Sequence, residues 1–497
     1  MKYFIFIMTT FIFTAVFYGM DLGLNVTLFN AICFGGLLII KRLKTPTILS
    51  KIVFISVVTS AIIVTYHNTV ISIIIHLLNW IIFIGVLNYK EAKLLTTWLY
   101  IGLINLALGI TLAFKGVFRN EIKLPNKKKI KLSLYLIPIG IIIIFQFIYR
   151  ISNPVFDDFI NQLTHIILKP FEYLNIKYFP IVILGLILTS PIFFEYKHPN
   201  KELKDQNATD FLKRIKIRRK RIFKIKGLTN EYQAGIFLLL SLNILLVVVN
   251  VFDIYTVWIN FKFEGQTLKT FVHEGTYMLI VSILISMGII LFFFRNNLNF
   301  YKFNSKLKSL TYFWIIQNII LSMSVFMRCY HYINNFGLAY KRIGVIVFIM
   351  AVIIGLITIY NKVKHIKTVN YVLRVNILSI FILLNGLTFF NWDLIIAKYN
   401  INNYQTSYVH FDFLSSLSNS SLFALQISPE QYEHILHVQH DKYPFYKQHP
   451  KLNERQKLYQ EKIQDRVNQF KISWECKHWL EWNYADYKSY HNLIDKH

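Results

Sequence analysis

Apolar stretches, most of them 17 to 22 residues long, alternate with polar connectors from Phe4 to Phe390. Each is close to the roughly 20 residues that a helix needs to cross the ~30 Å hydrocarbon layer of a bilayer. Because only helices and closed barrels satisfy their backbone hydrogen bonds in lipid, the pattern predicts an all-α, polytopic integral membrane bundle of about 11–12 helices. The predicted spans are 3–20, 22–40, 52–66, 70–87, 94–114, 132–150, 179–195, 232–252, 271–294, 310–328, 343–360 and 369–390.

The pattern also divides the chain into regions. Membrane helices occupy 1–150 and 179–390, and the segment between them, 151–178, is predicted to hold an amphipathic surface helix and a loop. After Phe390 the apolar periodicity fades and polar residues dominate, so 391–497 is predicted to be a small helical domain outside the membrane. The apolar N-terminus resembles a signal peptide, but no small-residue cleavage site follows it, and an uncleaved first span is expected.

Two helices and a third element are predicted in the tail, and one helix is predicted on the surface. The surface helix covers 153–169, with an apolar stripe suited either to the headgroup layer or to packing on the bundle. In the tail, Ser428 begins a capping box with proline at the first helical position, which predicts a helix over 429–440. A second, polar helix is predicted over 451–470, and an aromatic-rich element over 474–490 is expected to fold back on its neighbours or on the membrane interface.

The distribution of charged residues predicts how the chain is oriented in the membrane. Lys and Arg number 54 against 26 Asp and Glu, and they cluster in the connectors between apolar stretches. In a soluble protein this excess suggests nucleic acid, but here the positive-inside rule explains it, and no nucleic-acid partner is expected. The connector 196–230 carries twelve Lys and Arg and is predicted to lie in the cytoplasm and contact anionic lipid headgroups. A cytoplasmic partner or RNA is the alternative for this loop, although aromatic residues between its cations are limited to Phe211 and Phe223.

One segment conflicts with the charge rule. If every span crossed, 94–114 would carry the connector 115–131, with its seven Lys and Arg, to the outside. We therefore expect 94–114 to lie re-entrant or along the interface. Eleven crossings from a cytoplasmic N-terminus then place the tail outside a bacterial cytoplasmic (inner) membrane.

Polar residues converge at the predicted outer ends of the later spans. Ionisable groups near membrane depth are costly, so they usually face a cavity or a partner. A Glu274–Arg328 pair or an Asp393–Arg342 pair would offset that cost. One interpretation is an anion-binding or catalytic mouth, and the other is a set of groups that reach the interface or tie helices together. The candidate residues are His273, Glu274, Arg328, His331, Arg342 and Asp393.

A histidine run lies on the predicted tail helix. His434 and His437 are about one helical turn apart, a spacing that suits zinc, and His440 follows three residues later. Successive steps of three rotate around an ideal helix, so three ligands splay apart, and a solvated polar face is the alternative to a metal site. No cofactor is predicted, because the chain lacks the glycine-rich nucleotide-binding motifs and the G-x-S-x-G nucleophile motif.

A set of short motifs over 264–425 occurs in a recognisable order. With these motifs the chain resembles an uncharacterised family of bacterial multipass membrane proteins, a domain of unknown function (number four-one-seven-three). The resemblance implies no activity, substrate or cofactor, but it implies that the outer polar set belongs to the family's signature. The motifs are Val272-His273-Glu274-Gly275-Thr276, Trp314-Ile315-Ile316-Gln317-Asn318, Arg328 with Tyr332, Gly337-Leu338, Lys341-Arg342-Ile343, the Asn391 to Ile401 segment, Phe411-Asp412-Phe413-Leu414 and Leu417-Ser418.

These observations favour a non-enzymatic membrane component that acts in transport, sensing or envelope assembly. The alternative is an enzyme that acts on a lipid-linked or anionic substrate at the outer face. In that case Glu274 or Asp393 would be the base, and Arg328 would hold a phosphate or carboxylate. A lipid-linked glycosyl transferase would need acidic residues in the early outer loops, and Asp21 alone lies there. This favours the first class.

Overall fold

The computed structural model describes residues 1–118, 158–163, 178–194, 202, 205, 208–214, 221–262, 275–295, 297–443 and 458–495. Within these ranges the regular elements are helices, and eleven of them form the membrane bundle. They are α1 (Lys2–Phe17), α2 (Leu24–Ile39), α3 (Ile48–His67), α4 (Val70–Asn88), α5 (Leu95–Phe118), α6 (Phe179–Phe193), α7 (Arg221–Asp253), α8 (Thr276–Phe293), α9 (Ser305–Phe336), α10 (Tyr340–Lys364) and α11 (Val369–Leu387).

The apolar pattern therefore predicted the membrane helices correctly. Each predicted span that falls in the described residues is a helix, whereas 132–150 lies outside them. Eight of the helices are long and apolar enough to cross a bilayer, and α1, α2 and α6 are shorter apolar helices. The all-α polytopic fold is confirmed. Of the predicted surface helix, the described part (158–163) is helical, and the rest of 153–169 lies outside the described residues.

The bundle has two ends with different chemistry. At one end, which we call the basic end, lie the connectors that follow α2, α8 and α10, with Arg42, Arg295 and Lys367 among their cations. The opposite end, which we call the tail end, carries the residues after α11. There the Leu24 N–H donates to the Trp482 carbonyl at 2.9 Å, and the Tyr66 and Tyr484 rings stack at 4.4 Å. The tail and these basic connectors thus lie at opposite ends of the bundle.

Helix α5 differs from the prediction that 94–114 lies re-entrant or along the interface. It is a single continuous helix that packs antiparallel along α4, with Gly85 against the Trp98 carbonyl and Gly102 against the Ile81 carbonyl. Because α4 runs from the tail end to the basic end, α5 runs back to the tail end and does not form a re-entrant turn. The charge of 115–131 gave the wrong prediction, since close helix packing keeps α5 beside α4 along its length. The segment 119–157 lies outside the described residues.

Two packed groups of helices make up the bundle. One apolar core joins α1–α6 and includes Phe381 of α11, and a second joins α7–α11. Polar side chains link helices within the apolar layer, because an unpaired polar group in hydrocarbon is costly. Asn79 of α4 donates to Asn385 of α11 at 2.8 Å, and Gln317 of α9 donates to Asn243 of α7 at 2.6 Å. The Asn79–Asn385 bond joins the two groups of helices.

The tail forms a small helical domain with its own core. Its helices are α12 (Trp392–Asn402), α13 (Phe411–Leu414), α14 (Leu422–Leu425), α15 (Pro429–Lys442), α16 (Tyr459–Glu475) and α17 (Tyr484–Ile494). The N-cap half of the predicted capping box is confirmed, since the Ser428 side chain accepts a hydrogen bond from the Gln431 N–H at the start of α15. The apolar core of the domain also includes Ile343 of α10, so the domain packs directly onto the bundle.

At the basic end, two acidic residues of the 196–230 loop bind the protein itself. Asp205 accepts hydrogen bonds from the Lys93 N–H (2.7 Å) and the Thr97 hydroxyl (2.9 Å) at the start of α5. Asp210 pairs with Arg374 of α11. These contacts satisfy the Lys93 amide just before α5 and hold Asp205 and Asp210 against the bundle.

Candidate functional site

One face of α9 holds the end of α7 and the short π-helical segment that follows it (Ile254–Ile259). Ser324, Arg328 and His331 are spaced four and three residues apart, so they share this face. Ser324 accepts a hydrogen bond from the Trp258 indole N–H at 3.0 Å, and His331 Nε2 lies 2.9 Å from the Val257 carbonyl. Because a carbonyl can only accept, His331 Nε2 carries the proton in this contact.

The Arg328 guanidinium forms a salt bridge with Asp253, the last residue of α7. The two side chains are 6% and 10% exposed, so both charges have lost nearly all contact with water. Gly275 lies on the opposite side of the guanidinium, where a Cβ would be 2.8 Å from Arg328 Nη1. The pair therefore joins α7 and α9 close to the start of α8, at the tail end of the bundle.

A second contact joins α12 of the tail domain to the turn between α9 and α10, and we call it the α12 junction. Asp393 accepts a hydrogen bond from the Tyr340 hydroxyl, and Asn400, two turns later on α12, bonds both the N–H and the carbonyl of Leu338. Gly337 has φ +78°, and a Cβ there would lie 2.1 Å from Asn400 Oδ1. Glycine thus allows both the left-handed turn and the close approach of Asn400.

Arg342 closes the C-terminal end of α9 and does not pair with Asp393. Its Nη1 donates to the Phe336 carbonyl at 2.8 Å and to the Gly337 carbonyl, and its guanidinium lies 4.5 Å from the centre of the Tyr332 ring. A cation at this position satisfies the last carbonyls of a helix and complements its dipole.

The predicted mouth is therefore divided between two places. Arg328 and His331 lie on the α9 face, whereas Arg342 and Asp393 lie at the α12 junction. The Asp393–Arg342 pair suggested by the sequence does not form, because Asp393 bonds Tyr340 and Arg342 bonds backbone carbonyls. His273 and Glu274 lie outside the described residues.

The partners of these residues were not predicted from the sequence. Asp253 follows the predicted span 232–252 directly, and a carboxylate at membrane depth is a signal that marks it as a partner for a buried cation. Tyr340 and Asn400 had no such signal, because a tyrosine or an asparagine near a helix end is common on protein surfaces. Their roles depend on which turns the fold brings together.

Electrostatics link α12 to the rest of the tail domain. Arg466 of α16 donates to the Ser415 and Leu417 carbonyls at 2.6 and 2.8 Å. Burial lowers the pKa of Arg466, and the nearby Asp393 carboxylate partly offsets this. Asp393 therefore stabilises charge and hydrogen bonds on both sides of α12, toward Tyr340 in the bundle and toward Arg466 in the domain.

The histidine run lies on α15, as predicted. His437 Nδ1 is 3.2 Å from an Asp441 oxygen, and the side chains of both residues are largely exposed. His434 instead contacts the Tyr404 ring edge-on, 5.7 Å between ring centres. Among the described residues there is no group of three or more His, Cys, Asp or Glu side chains placed to hold a metal ion.

Comparison with known proteins gives one match. The family model described as "Domain of unknown function (DUF4153)" matches residues 26–426, a range that runs from α2 to the end of α14. The family number given by the sequence resemblance was wrong, whereas its character as a domain of unknown function was right. No curated protein and no solved structure matches the chain.

Proposed function

The chain belongs to the DUF4153 family, and from this premise we propose that it is a non-enzymatic membrane component that holds its tail domain on the extracytoplasmic face for sensing or envelope assembly. The bundle provides the anchor in the cytoplasmic membrane. The connectors that follow α2, α8 and α10, which the positive-inside rule favours on the cytoplasmic side, lie at the opposite end from the tail domain. This geometry supports an N-terminus inside and a tail domain outside.

The observation that carries the proposal is how the α12 junction uses its polar residues. Asp393 is 6% exposed and is bonded to Tyr340, while Asn400 and Arg342 bind the backbone of the α9–α10 turn. These side chains fix one element onto another. A catalytic base, in contrast, must reach the proton that it removes from a substrate.

Further contacts support a rigid platform. The tail domain meets the first group of helices through Trp482 and Tyr484, and His67 of α3 bonds the Phe389 carbonyl at 3.0 Å. It meets the second group through the α12 junction. A domain that is attached to both groups of helices moves together with the bundle. Such attachment suits a component that senses a condition outside the membrane or presents a fixed surface for assembly.

We also propose that the 196–230 loop, at the basic end of the bundle, contacts anionic lipid headgroups. Asp205 and Asp210 are engaged within the protein, while Lys213 and Arg214 are exposed on the same loop. Cations near a membrane surface attract anionic headgroups by roughly 1 kcal/mol each. The loop would therefore hold the basic end of the bundle against the cytoplasmic leaflet.

Substitution of Asp393 separates this proposal from the enzyme alternative. Asp393→Asn keeps an oxygen that accepts the Tyr340 hydrogen bond, so a strain that lacks the gene should be complemented to within about twofold at normal membrane levels. Loss of a catalytic base would instead lower activity by roughly 10²–10⁴. Asp393→Leu, which removes the acceptor, should reduce both membrane level and complementation. Exposed Asp441→Asn is the matched control.

The contradicting result is specific. If Asp393→Asn reaches normal membrane levels and yet abolishes complementation as completely as deletion of the gene, the carboxylate itself is required. The proposal of a non-enzymatic platform would then be wrong.

A further inference from the structure

One corner of the tail domain lies level with the last turn of a membrane helix. We call it the tryptophan corner, and it consists of the short 3₁₀ helix Trp479–Glu481 and the following Trp482. The Trp482 carbonyl accepts the first N–H of α2 at 2.9 Å, and a Cβ at Gly23 would lie 2.4 Å from the Glu481 carbonyl oxygen. The Gly23 carbonyl in turn accepts a hydrogen bond from the Thr65 hydroxyl of α3 at 3.1 Å. The corner therefore packs on the start of α2, beside the last turn of α3.

The end of α3 gives the height of this corner in the membrane. α3 has 20 residues and is apolar enough to cross a bilayer, and a helix of about that length spans the hydrocarbon layer. Its C-terminus, at the tail end of the bundle, therefore lies near the boundary between hydrocarbon and headgroups. Because Gly23 contacts both Thr65 in the last turn of α3 and the corner, the corner lies at this same level. It is thus in the interfacial layer of the bilayer and not above it in water.

Both tryptophans of the corner are exposed on the protein surface. Trp479 is 62% exposed and Trp482 is 36% exposed. Among the described residues, neither indole N–H has a hydrogen-bond acceptor. By contrast, the indole N–H of Trp392, also in the tail domain, donates to the Leu387 carbonyl at 2.8 Å. A ring with a large apolar surface and an open N–H suits a layer that offers both hydrocarbon and acceptor oxygens.

The bundle itself exposes aromatic side chains at the same level. Tyr66, in the last turn of α3, is 46% exposed, and Phe389 and Phe390, which follow α11, are 57% and 52% exposed. The His67 side chain of α3 bonds the Phe389 carbonyl at 3.0 Å, so the ends of α3 and α11 lie at one height. Tryptophan and tyrosine are enriched in aromatic belts at membrane–water interfaces. The tryptophan corner therefore continues an aromatic belt from the bundle into the tail domain.

We propose that the tryptophan corner inserts its two exposed indoles into the headgroup and glycerol layer of the leaflet at the tail end. The partner of this surface is lipid, because lipid surrounds the helices of the bundle at the same level. The tail domain is then attached in three ways, to the first group of helices, to the second group and to the membrane surface itself. This inference goes beyond the proposed platform role, and it does not depend on which side of the membrane the tail domain lies.

Spin-label depth measurements on the full-length protein in phospholipid nanodiscs test the proposal. In a Cys476→Ser background, in which the remaining Cys33 and Cys329 are buried, a nitroxide is attached at Trp479→Cys. Its collisions with oxygen, which concentrates in lipid, are compared with its collisions with a nickel chelate, which stays in water. The control is Glu461→Cys, an exposed position on α16, which packs on α14 and α17. We expect the oxygen-to-nickel ratio to be at least about threefold higher at the corner than at the control, because the corner lies in the interfacial layer.

A label at Trp482→Cys gives a second measurement on the same corner. The hydrogen bond that holds the corner on α2 uses the backbone carbonyl of residue 482, so neither substitution removes it. Equal ratios at the corner and at the Glu461→Cys control would place the corner in water and overturn the proposal. A label at Trp479→Cys that neither reagent reaches would also overturn it, because protein and not lipid would then cover the corner. The Asp393 variants test the platform role separately, and their outcome does not change this one.

Discussion

Arg328→Met lowers the free energy of unfolding by about 3–5 kcal/mol, because it leaves the Asp253 carboxylate buried without its cation. The measurement is equilibrium unfolding of the purified protein in mixed micelles. The double variant Asp253→Leu/Arg328→Met should be more stable than the sum of the two single changes predicts, since it removes both buried charges. The difference gives the coupling between the two side chains.

The control is the partly exposed ion pair between Asp210 and Arg374 at the opposite end of the bundle. Asp210 and Arg374 are 31% and 36% exposed, so Arg374→Met should cost at most about 1 kcal/mol. If Arg328→Met and Arg374→Met had the same small effect, the pair on the α9 face would contribute little to holding α7 and α9 together.

Gly85→Ala and Gly102→Ala should each destabilise the protein by about 1–3 kcal/mol, and larger side chains by more. A Cβ at Gly85 would lie 2.0 Å from the Trp98 carbonyl oxygen, and one at Gly102 would lie 2.0 Å from the Ile81 carbonyl oxygen. Backbone atoms cannot rotate away as a side chain can, so α4 and α5 must separate. Loss of stability in the same unfolding assay would accompany easier proteolysis of the α4–α5 connector.

Gly288 on α8 is the matched control for this pair. A Cβ at Gly288 meets nothing within 4 Å, so Gly288→Ala should leave stability unchanged or raise it by up to about 1 kcal/mol through helix propensity. A Gly85→Ala protein as stable as the Gly288→Ala protein would mean that α5 does not pack against α4 along its full length.

The membrane helices could be predicted from sequence because their signal is local. A helix that must bury about 20 residues in hydrocarbon has to be apolar along its own length, whatever its neighbours are. The Ser428 cap is also local, because the residues that form it lie within one turn. The apolar centres of the membrane helices were predicted, whereas α7 and α9 extend beyond the predicted spans 232–252 and 310–328.

Helix α5 could not be predicted in the same way. Its apolar length gave the right element, but the charge of the following connector suggested that it does not cross the membrane. What determines its path is the contact of Gly85 with Trp98 and of Gly102 with Ile81, which depends on the relative position of two helices. The positive-inside rule concerns the sum of many loops, so one connector is weak evidence against a single helix.

The candidate site was predicted only in part, because its contacts also depend on the relative positions of separate helices. Arg328 and His331 were predicted as candidate residues, and the continuation of α9 to Phe336 places both on one helix face. Their partners lie about 75 residues earlier in the chain, on α7 and the π-helical segment. Of these, Asp253 alone has a local signal, a carboxylate at membrane depth, and the pattern does not say which cation it pairs with. At the α12 junction, nothing in the local sequence pattern identifies Tyr340 as the partner of Asp393.

The most direct test of the account is the side of the membrane on which each end of the bundle lies. Cys476 in the tail domain is exposed, whereas Cys33 and Cys329 are buried in the bundle and serve as internal controls. In spheroplasts, a membrane-impermeant maleimide should label Cys476 without permeabilisation. In a Cys476→Ser background, Lys302→Cys in the connector after α8 should be labelled only after permeabilisation. Labelling of both positions from the same side would contradict the account.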